Sequence, residues 1–334
     1  MDQHHRVLRL GAAVILCAVV MRLAGSGALD PLAERLAGAE AQSFFLYLET
    51  GRIVRFSPSL EETSDTGEET RAPETTGATQ AAEILVPCFS PEDAADIQIT
   101  DNPGLSPDLE SLLTTPLDWD LTAEGPTVLI LHTHTTESYT KNGEDYAESS
   151  EYRTLDENYN MLSIGDAVAE ILTEAGITVL HDRQLHDYPS YNGSYSSARS
   201  AIRDYLDQYP TIRLVLDLHR DASESAGAQM RTEAQVDGED SAQLMFVVAT
   251  GSAAGAQPHW RENLSLVLKL QVQLEDQAPG ITRPINLRAL RFNQDLSQGA
   301  VLVEVGAAGN THAEALTAAR QLALAIVALA KGSG

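Results

Sequence analysis

Histidine and carboxylate side chains follow or interrupt three apolar runs of this chain, and such side chains bind divalent metal ions in proteins. They are His132, His134, Glu137, His219 and Glu304. Two imidazoles and one carboxylate, with a fourth position left for water, form the ligand set of a catalytic zinc site. A water in that position has its pKa lowered to about 7, which makes it a nucleophile at neutral pH. The sequence therefore predicts a zinc-dependent hydrolytic centre.

The residues alone leave two ligands of this site open. His134 and Glu137 have the H-x-x-E spacing of carboxypeptidase-type zinc peptidases, and His132 is the alternative imidazole on the same segment. Glu157 is the rival carboxylate, although a negative charge near the start of a predicted helix would also simply favour the helix dipole. We prefer Glu137, because it lies three residues from His134 and requires no assumption about the fold.

Glu304, Arg220 and a polar turn complete the candidate site. An unpaired carboxylate inside an apolar run is costly to bury, so Glu304 needs either a function or an ion-pair partner such as Arg220 or Arg283. Glu304 and Arg220 are therefore candidate functional residues or partners in a structural ion pair. Asn293 and Gln294 lie in a polar turn and are predicted to orient a substrate amide, with a plain Asx turn as the alternative.

An alternation of apolar runs and helical patterns from Thr127 onward must position these residues. Continuous apolar runs are typical of strands buried on both faces, and they occur at 128–131, 177–180, 214–218, 244–249 and 301–305. Patterns of helical spacing and stop signals occur at 161–175, 196–209, 260–274 and 311–330. This order predicts an α/β fold with a mostly parallel sheet and helices on both faces. Ligands in such sheets bind beyond the carboxyl ends of the strands, where the histidines lie.

The charge balance excludes one class of function, and the cysteine count excludes one kind of scaffold. With 22 Lys and Arg against 48 Asp and Glu, 22 − 48 gives a net charge of −26 over 334 residues. Nucleic-acid binding needs basic residues to displace counterions, so we exclude a DNA- or RNA-binding role. Cys17 and Cys88 are the two cysteines, too few for a disulfide scaffold or a cysteine-rich zinc module.

Residues 1–30 have the layout of a signal anchor. A basic stretch precedes an apolar run from Leu10 to Met21, and Arg22 can extend the run by snorkelling. The small residues that follow match a cleavage site only loosely, so we prefer an uncleaved anchor over a cleaved signal. Positive charge ahead of the span puts the N-terminus in the cytoplasm. The sequence therefore predicts a single-pass cell-membrane protein with its catalytic domain on the extracytoplasmic side.

Four further segments follow the predicted anchor. Residues 31–56 are predicted to form a membrane-proximal stalk with a short amphipathic helix. Residues 57–80 are rich in Glu, Thr, Ser and Pro, which is typical of a disordered acidic linker because almost nothing can be buried. Prolines interrupt residues 81–126, an irregular N-terminal extension with loops and short helices. Residues 127–334 form the predicted catalytic domain.

Four sequence blocks occur in order in the predicted domain. They are HTHTTESY at 132–139, DLHRDA at 217–222, FNQDLS at 292–297 and LVEVG at 302–306. Behind one N-terminal membrane segment and a polar linker, this combination resembles the stage II sporulation protein P family. The resemblance extends over roughly residues 127–330. The four blocks together are specific evidence for this family, whereas any single block would be weak evidence.

The resemblance implies a peptidoglycan hydrolase of endospore-forming bacteria that acts in cell-wall remodelling during engulfment. The implied activity is that of an N-acetylmuramoyl-L-alanine amidase, reported also to cleave peptide crosslinks, with a fold similar to the zinc-dependent amidases. Those enzymes use His, Glu and His with a separate catalytic Glu. Transferred to this chain, the resemblance implies that His134 or His132, together with His219, binds zinc and that Glu304 is the catalytic carboxylate. On that basis we assign Glu304 as general base and then general acid, and Arg220 as a group that stabilises the oxyanion. The ligand Glu of the broader amidases opens the first helix, which is Glu157 here.

Partners and alternatives complete these expectations. The resemblance implies that sporulation proteins D and M act with this protein in the same membrane. One alternative function is a membrane-tethered module that binds peptidoglycan without hydrolysis. Another is a zinc carboxypeptidase that acts on free peptides. Product analysis with purified sacculi, with and without a chelator, distinguishes the three.

Overall fold

The fold is described from a computed structural model, in which residues 89–332 are defined except at 118, 141–151, 223, 226–227 and 252–255. The chain divides into two units, Met1–Ala78 and Thr79–Gly334, and the described residues belong to the second. The predicted anchor at 1–30, stalk at 31–56 and linker at 57–80 lie outside the described residues. Those three assignments therefore stay predictions.

Seven strands of the described chain form one sheet, and four short strands form two hairpins. The strands are β1 Ile99–Asp101, β2 Val128–Leu131, β3 Val179–His181, β4 Leu214–Asp221, β5 Glu224–Ser225, β6 Ala228–Gln229, β7 Ala234–Val236, β8 Glu239–Ser241, β9 Leu244–Ala249, β10 Ile285–Arg288 and β11 Ala300–Ala307. The sheet order is β1-β10-β9-β11-β4-β2-β3, and β5-β6 and β7-β8 are the hairpins. Five of the six neighbouring pairs in the sheet are parallel, and the β9–β11 pair is antiparallel.

Helices cover both faces of this sheet. After a 3-10 helix at Pro91–Asp96, the helices are α1 Leu109–Thr114, α2 Met161–Glu174, α3 Ser194–Gln208, α4 Trp260–Gln277 and α5 His312–Gly332. Helices α1, α2, α4 and α5 share one apolar core with Ile130, Leu216 and Val303. Helix α3 packs Ala198 and Ile202 on the opposite face. The prediction of a mostly parallel sheet with helices on both faces is confirmed.

The central strands are apolar because both of their faces are buried. All four side chains of β2 are fully buried, and full burial stabilises a Leu or Ile side chain by about 1.5–3 kcal/mol. Helix α2 begins where the Asn160 side chain accepts a hydrogen bond from the Leu162 amide. It ends before Gly176, which has a φ of 89°. The cap and the stop together fix the helix that follows the loop after β2.

Helix α5 is long and apolar enough to span a membrane by length and composition, and in the described part of the chain no other helix meets that test. Its most apolar window is 67% buried inside the domain. Ala318, Leu322 and Ile326 belong to the main core. We therefore describe α5 as a core helix, and it has no bearing on the predicted N-terminal anchor.

The sequence pattern does not predict two strands of the sheet, β1 and β10, or either of the two hairpins. The side chains of β10 alternate between buried and half-buried, so the strand has no continuous apolar run. Strand β1 has three residues, none of them fully buried. It pairs with β10 in parallel at the edge of the sheet. Strands of this kind are stabilised by their neighbours in the sheet, which a local pattern does not contain.

Candidate active site

Strands β4 and β11 bring His219 and Glu304 side by side. Strand β4 continues to Asp221, so His219 lies within the strand and not after its predicted end. In the parallel register His219 pairs with Glu304, and Asp217 pairs with Leu302. Directly paired residues point to the same face of a sheet. Because His219 is 1% and Glu304 is 3% exposed, this face presents a buried imidazole next to a buried carboxylate.

His134 reaches the same place from the turn that follows β2. Its ring centroid lies 5.3 Å from that of His219, with the ring planes at 90°. The ring of Tyr191 stacks on His134 at a centroid distance of 4.4 Å. The Tyr191 hydroxyl lies 3.0 Å from His134 Nε2. The two imidazoles that the sequence singles out thus belong to one buried cluster.

Asp217 connects the two segments that carry these histidines. Its Oδ1 accepts a hydrogen bond from the Thr133 amide at 2.8 Å, and its Oδ2 accepts one from the Thr133 hydroxyl at 2.6 Å. The same Oδ1 lies 2.9 Å from His219 Nε2. Because Thr133 directly precedes His134, one carboxylate contacts the His219 ring and holds the backbone next to His134. A carboxylate in this position is the usual partner of the far nitrogen of a metal-binding histidine.

Glu137 lies beside His219 between two arginines. Its Oε2 is 3.7 Å from His219 Nδ1 and accepts a hydrogen bond from the Arg220 amide at 3.2 Å. Its Oε1 is 3.5 Å from Arg220 Nη1 and 3.7 Å from Arg153 Nη2. The two guanidinium groups offset part of the cost of burying this carboxylate.

The electrostatic environment of His219 is strongly negative. Burial lowers the pKa of His219, but the nearby carboxylates outweigh that effect and raise the pKa to about 9. Asp217 makes the largest of these contributions, followed by Glu137 and Glu304. A buried pocket with three carboxylates favours a bound cation.

The side chains of this cluster are of the types that bind zinc. The distance between its two closest donor atoms is also near the spacing of two zinc ligands. Two ligands of a tetrahedral zinc ion lie about 3.4 Å apart, close to the 3.7 Å between His219 Nδ1 and Glu137 Oε2. Nε2 of His134 contacts Tyr191, so Nδ1 would be its metal-binding nitrogen. As the side chains stand, no group of three His, Cys, Asp or Glu in the described part of the chain has metal-binding geometry. The cluster contains the residue types that a zinc ion requires, but the present side-chain positions do not form a metal-binding geometry.

His132 belongs to a different cluster, on the side of the sheet that faces α2. Its Nδ1 lies 3.1 Å from the Leu218 carbonyl oxygen, and its Nε2 lies 2.9 Å from His181 Nε2. His181 Nδ1 in turn lies 2.9 Å from Asp166 Oδ1. Burial, followed by the proximity of His181, lowers the pKa of His132 well below its usual value. The structure therefore joins His134, and not His132, to His219.

Glu157 also lies apart from the buried cluster. Its side chain is 58% exposed and forms an ion pair with Arg183 at 2.8 Å. Arg183 pairs with Asp166 as well, at 2.6 Å. Of the two rival carboxylates, the structure brings Glu137 to the histidines and leaves Glu157 at the surface.

Arg220 is engaged with the segment that carries Glu137. Its Nε donates to the Ser138 carbonyl oxygen, and its Nη2 donates to the Tyr152 carbonyl oxygen, both at 2.9 Å. Arg283, the other arginine considered as a partner for Glu304, pairs with Asp221 at 3.0 Å. These contacts give Arg220 a supporting position, and its role at the oxyanion stays a prediction.

Asn293 and Gln294 hold a loop together through their side-chain amides. Gln294 accepts from the Ala249 amide and donates to the Val247 carbonyl oxygen, both at 2.7 Å. Asn293 donates to the Tyr195 carbonyl oxygen at 2.9 Å. Both side chains are buried, so these contacts orient protein backbone. Direct contact with a substrate amide stays a prediction.

Sequence reasoning about single motifs does not identify the groups that orient the two imidazoles. Asp217 lies two residues before His219, and the two-residue period of a strand could have placed both on one face. Tyr191 carries no such signal, because it reaches His134 only through the loop that follows β3. No sequence pattern identifies Arg153 either, although its guanidinium lies 4.5 Å from the centroid of the Tyr191 ring.

Comparison with known proteins identifies relatives over most of the chain. The profile of the family named stage II sporulation protein P matches residues 54–327. Stage II sporulation protein P of Bacillus subtilis (strain 168) is 26% identical over 215 residues, which is 60% of this chain and 50% of that protein. The chain thus spans about half the length of the curated relative that it matches.

Several solved structures resemble part of this chain at low identity and with TM-scores below 0.5. N-acetylmuramoyl-L-alanine amidase AmiC2 of Nostoc punctiforme is 14% identical with a TM-score of 0.37, covering 63% of this chain and 98% of that chain. The CwlD amidase from Clostridioides difficile, in complex with the GerS lipoprotein, is 15% identical with a TM-score of 0.38, covering 61% and 94%. The amidase Ami1 from Mycobacterium abscessus is 16% identical with a TM-score of 0.38, covering 62% and 97%.

Proposed function

Because the chain belongs to the stage II sporulation protein P family, we propose that it is a peptidoglycan hydrolase that remodels the cell wall during sporulation engulfment. The bond that it cleaves is the amide between N-acetylmuramic acid and L-alanine, and the proposal extends to peptide crosslinks. The observation that carries this proposal is the buried cluster of His134, Glu137, His219 and Glu304 on one face of the sheet.

Glu304 is the general base of the proposed reaction. It takes a proton from the attacking water as the water oxygen bonds to the amide carbonyl carbon. It returns that proton to the alanine nitrogen as the carbon–nitrogen bond breaks. The products are a lactyl carboxylate on the sugar and a stem peptide with a free amino terminus. Its position in register with His219 supports this role, because base and nucleophile must lie close together.

His134, Glu137 and His219 are the proposed zinc ligands. When bound, the zinc ion supplies a Lewis acid that polarises the amide carbonyl and lowers the pKa of water. Asp217 contacts His219 and holds the turn that carries His134. The Tyr191 ring stacks on the His134 ring and fixes its position. Arg220 supports the Glu137 segment and is proposed to stabilise the oxyanion.

Location and partners follow from the N-terminal segment and from the family. We propose that residues 1–30 anchor the chain in the cell membrane, with the hydrolase on the extracytoplasmic side. Sporulation proteins D and M are its proposed partners there. Peptidoglycan is the proposed substrate, and the net charge of −26 disfavours nucleic acid.

Digestion of purified sacculi tests the proposal. The full chain should release stem peptides that begin with L-alanine, as identified by mass spectrometry. A chelator should abolish release and added zinc should restore it. Glu304→Gln should slow release by about 10²–10⁴-fold. Glu157→Gln is the matched control, because it removes an exposed carboxylate outside the cluster, and it should retain wild-type activity.

Two results would contradict the amidase assignment. Chelator-insensitive binding to sacculi with no released peptide would favour the non-hydrolytic module. Peptides shortened at their C-termini, with no freed L-alanine amino group, would favour the carboxypeptidase.

A further inference from the structure

Aromatic rings border one side of the candidate active site. The Tyr191 ring stacks on His134, and the Tyr195 ring meets His134 edge-on at a centroid distance of 5.4 Å. The Phe292 ring lies 5.9 Å from that of Tyr195. We call Tyr191, Tyr195 and Phe292 the aromatic rim. It is a continuous row of rings that begins at a proposed zinc ligand.

The far end of the aromatic rim lies beside Glu304. Phe292 packs on a small apolar cluster made by Met245, Val247 and Leu302. Met245 is the residue that pairs with Glu304 across the antiparallel β9–β11 pair. Leu302 lies two residues before Glu304 on the same face of β11. The rim therefore extends along the site from His134 to the sheet surface next to the proposed base.

Phe292 is held there in an unfavourable backbone conformation. Phe292 and Asn293 have φ values of 45° and 56°, in the left-handed region that bulky residues rarely adopt. The side chains of Asn293 and Gln294 bind backbone of α3 and β9. A two-pronged ion pair between Arg199 and Asp295, 2.7 Å at each prong, closes the loop against α3. Strain maintained by so many contacts is typical of functional sites.

The outer part of the rim is accessible. His134 stacks on one face of the Tyr191 ring, and the Arg153 guanidinium lies 4.5 Å from the centroid of that ring on the other side. Tyr195 and Phe292 are therefore the rings of the rim that can meet a ligand. All three rings are half-buried, so each keeps part of its surface in solvent. Flat aromatic faces match the apolar faces of sugar rings. An uncharged contact also suits a chain of net charge −26, which repels anionic peptides.

We propose that Tyr195 and Phe292, the outer part of the aromatic rim, bind the glycan strand of the substrate, so that sugar rings stack on them and the lactyl amide lies between His134 and Glu304. The identity of the polymer rests on the proposed function. The recognition by stacking rests on the ring contacts and on the clamped loop. The strand would be held through its sugars before any peptide is contacted.

Binding of the full chain to glycan strands stripped of their stem peptides tests this inference without hydrolysis. The wild-type chain should bind the stripped strands in calorimetry. Phe292→Ala and Tyr195→Ala should each weaken binding by about tenfold, the loss expected for one stacking contact. Phe292→Tyr should restore most of the affinity. Leu105→Ser is the matched control, because Leu105 is 43% exposed but precedes α1, outside the rim.

The outcomes separate this inference from the proposed function. Wild-type affinity in both Phe292→Ala and Tyr195→Ala, or no binding of stripped strands by the wild-type chain, would overturn it. Tyr195 lies on α3 and not on the strained loop, so its variant remains informative even if Phe292→Ala unfolds. Binding of stripped strands by a chain that releases nothing from sacculi would refute the hydrolase and leave glycan recognition standing. On intact sacculi, the rim variants should raise KM and leave kcat within about twofold.

Discussion

Asp217 is the residue on which the geometry of both imidazoles depends. One carboxylate contacts the amide and hydroxyl of Thr133 and the Nε2 of His219. Two segments that are far apart in sequence are thereby held in one orientation. Removing its charge would keep the size of the side chain and weaken every one of these contacts.

We predict that Asp217→Asn lowers zinc affinity by about 10–100-fold, because the partner of a ligating imidazole controls its orientation and basicity. Competition with a chromogenic chelator measures the change. Asp221→Asn is the control, since Asp221 lies at the end of the same strand and pairs with Arg283. Equal zinc affinity in the wild type and Asp217→Asn would show that Asp217 does not position a ligand.

At the residue level, short spacing predicts which side chains lie close together, while their role as ligands stays a prediction. The H-x-x-E spacing predicts Glu137, which the structure brings to His219. Glu157 depends on an analogy of folds and lies in a surface ion pair. Tyr191 and Arg153 reach the site through loops, and no local pattern marks them, because their contacts exist only in the folded chain.

Helix α2 packs so closely on the strand ends that one of its residues must lack a side chain. A Cβ built on Gly165 would lie 2.5 Å from His181 Nε2 and 2.7 Å from His132 Nε2. The glycine thus makes room for the contact between the two histidines. That contact joins β3 to the Leu218 carbonyl of β4, one residue before His219.

We predict that Gly165→Ala destabilises the domain by about 1–3 kcal/mol, as overpacking does. Helix propensity alone would stabilise the variant by about 1 kcal/mol, so the sign of the change is informative. Urea unfolding measures it. The penalty should shrink in a His181→Ala background, since the nearest clash is then removed. A Gly165→Ala chain as stable as the wild type would contradict this packing.

The loop that carries Phe292 is stabilised by an ion pair that acid should weaken. The hydrogen bond from Arg199 holds the pKa of Asp295 below its usual value of 3.8. A depressed carboxyl pKa stabilises the fold above the unfolded-state pKa, and the stabilisation is lost as pH falls through the folded-state pKa. We predict that Asp295→Asn is less stable than the wild type above about pH 5. The difference should disappear as the pH falls through the folded-state pKa of Asp295, in unfolding measured as a function of pH. A difference that persists there would contradict the ion-pair explanation.

At the level of elements, the sequence predicts the central strands well and their ends poorly. Continuous apolar runs predict β2, β4, β9 and β11, because burial on both faces leaves a strong local signal. Strand β4 continues through His219 to Asp221, since pairing with β11 compensates for its polar residues. Strand β10 alternates in burial and is determined by its neighbours in the sheet.

For the whole molecule, the sequence predicts a membrane-anchored chain in which an acidic linker precedes the catalytic domain. We predict that the full chain sediments with membranes and that deletion of residues 1–30 releases it. Resistance to high salt would indicate insertion, because salt would release a chain held by surface charge. A full chain found in the soluble fraction would contradict the predicted anchor.

Sequence reasoning predicts the fold of the described domain but not the aromatic rim. Alternating strands and helices predict the mostly parallel sheet, and the order of four motifs identifies the family. The aromatic rim joins a loop after β3, helix α3 and the loop before β11. Such a surface depends on how three distant segments pack, which no periodicity records.

The zinc content of the purified full chain tests the central claim most directly, because the claim is that His134, Glu137 and His219 hold one catalytic ion. Elemental analysis should find about one zinc per chain in the wild type and in Glu304→Gln, and almost none in His219→Ala. Undiminished zinc in His219→Ala, or an active wild-type chain that contains no metal, would contradict the account.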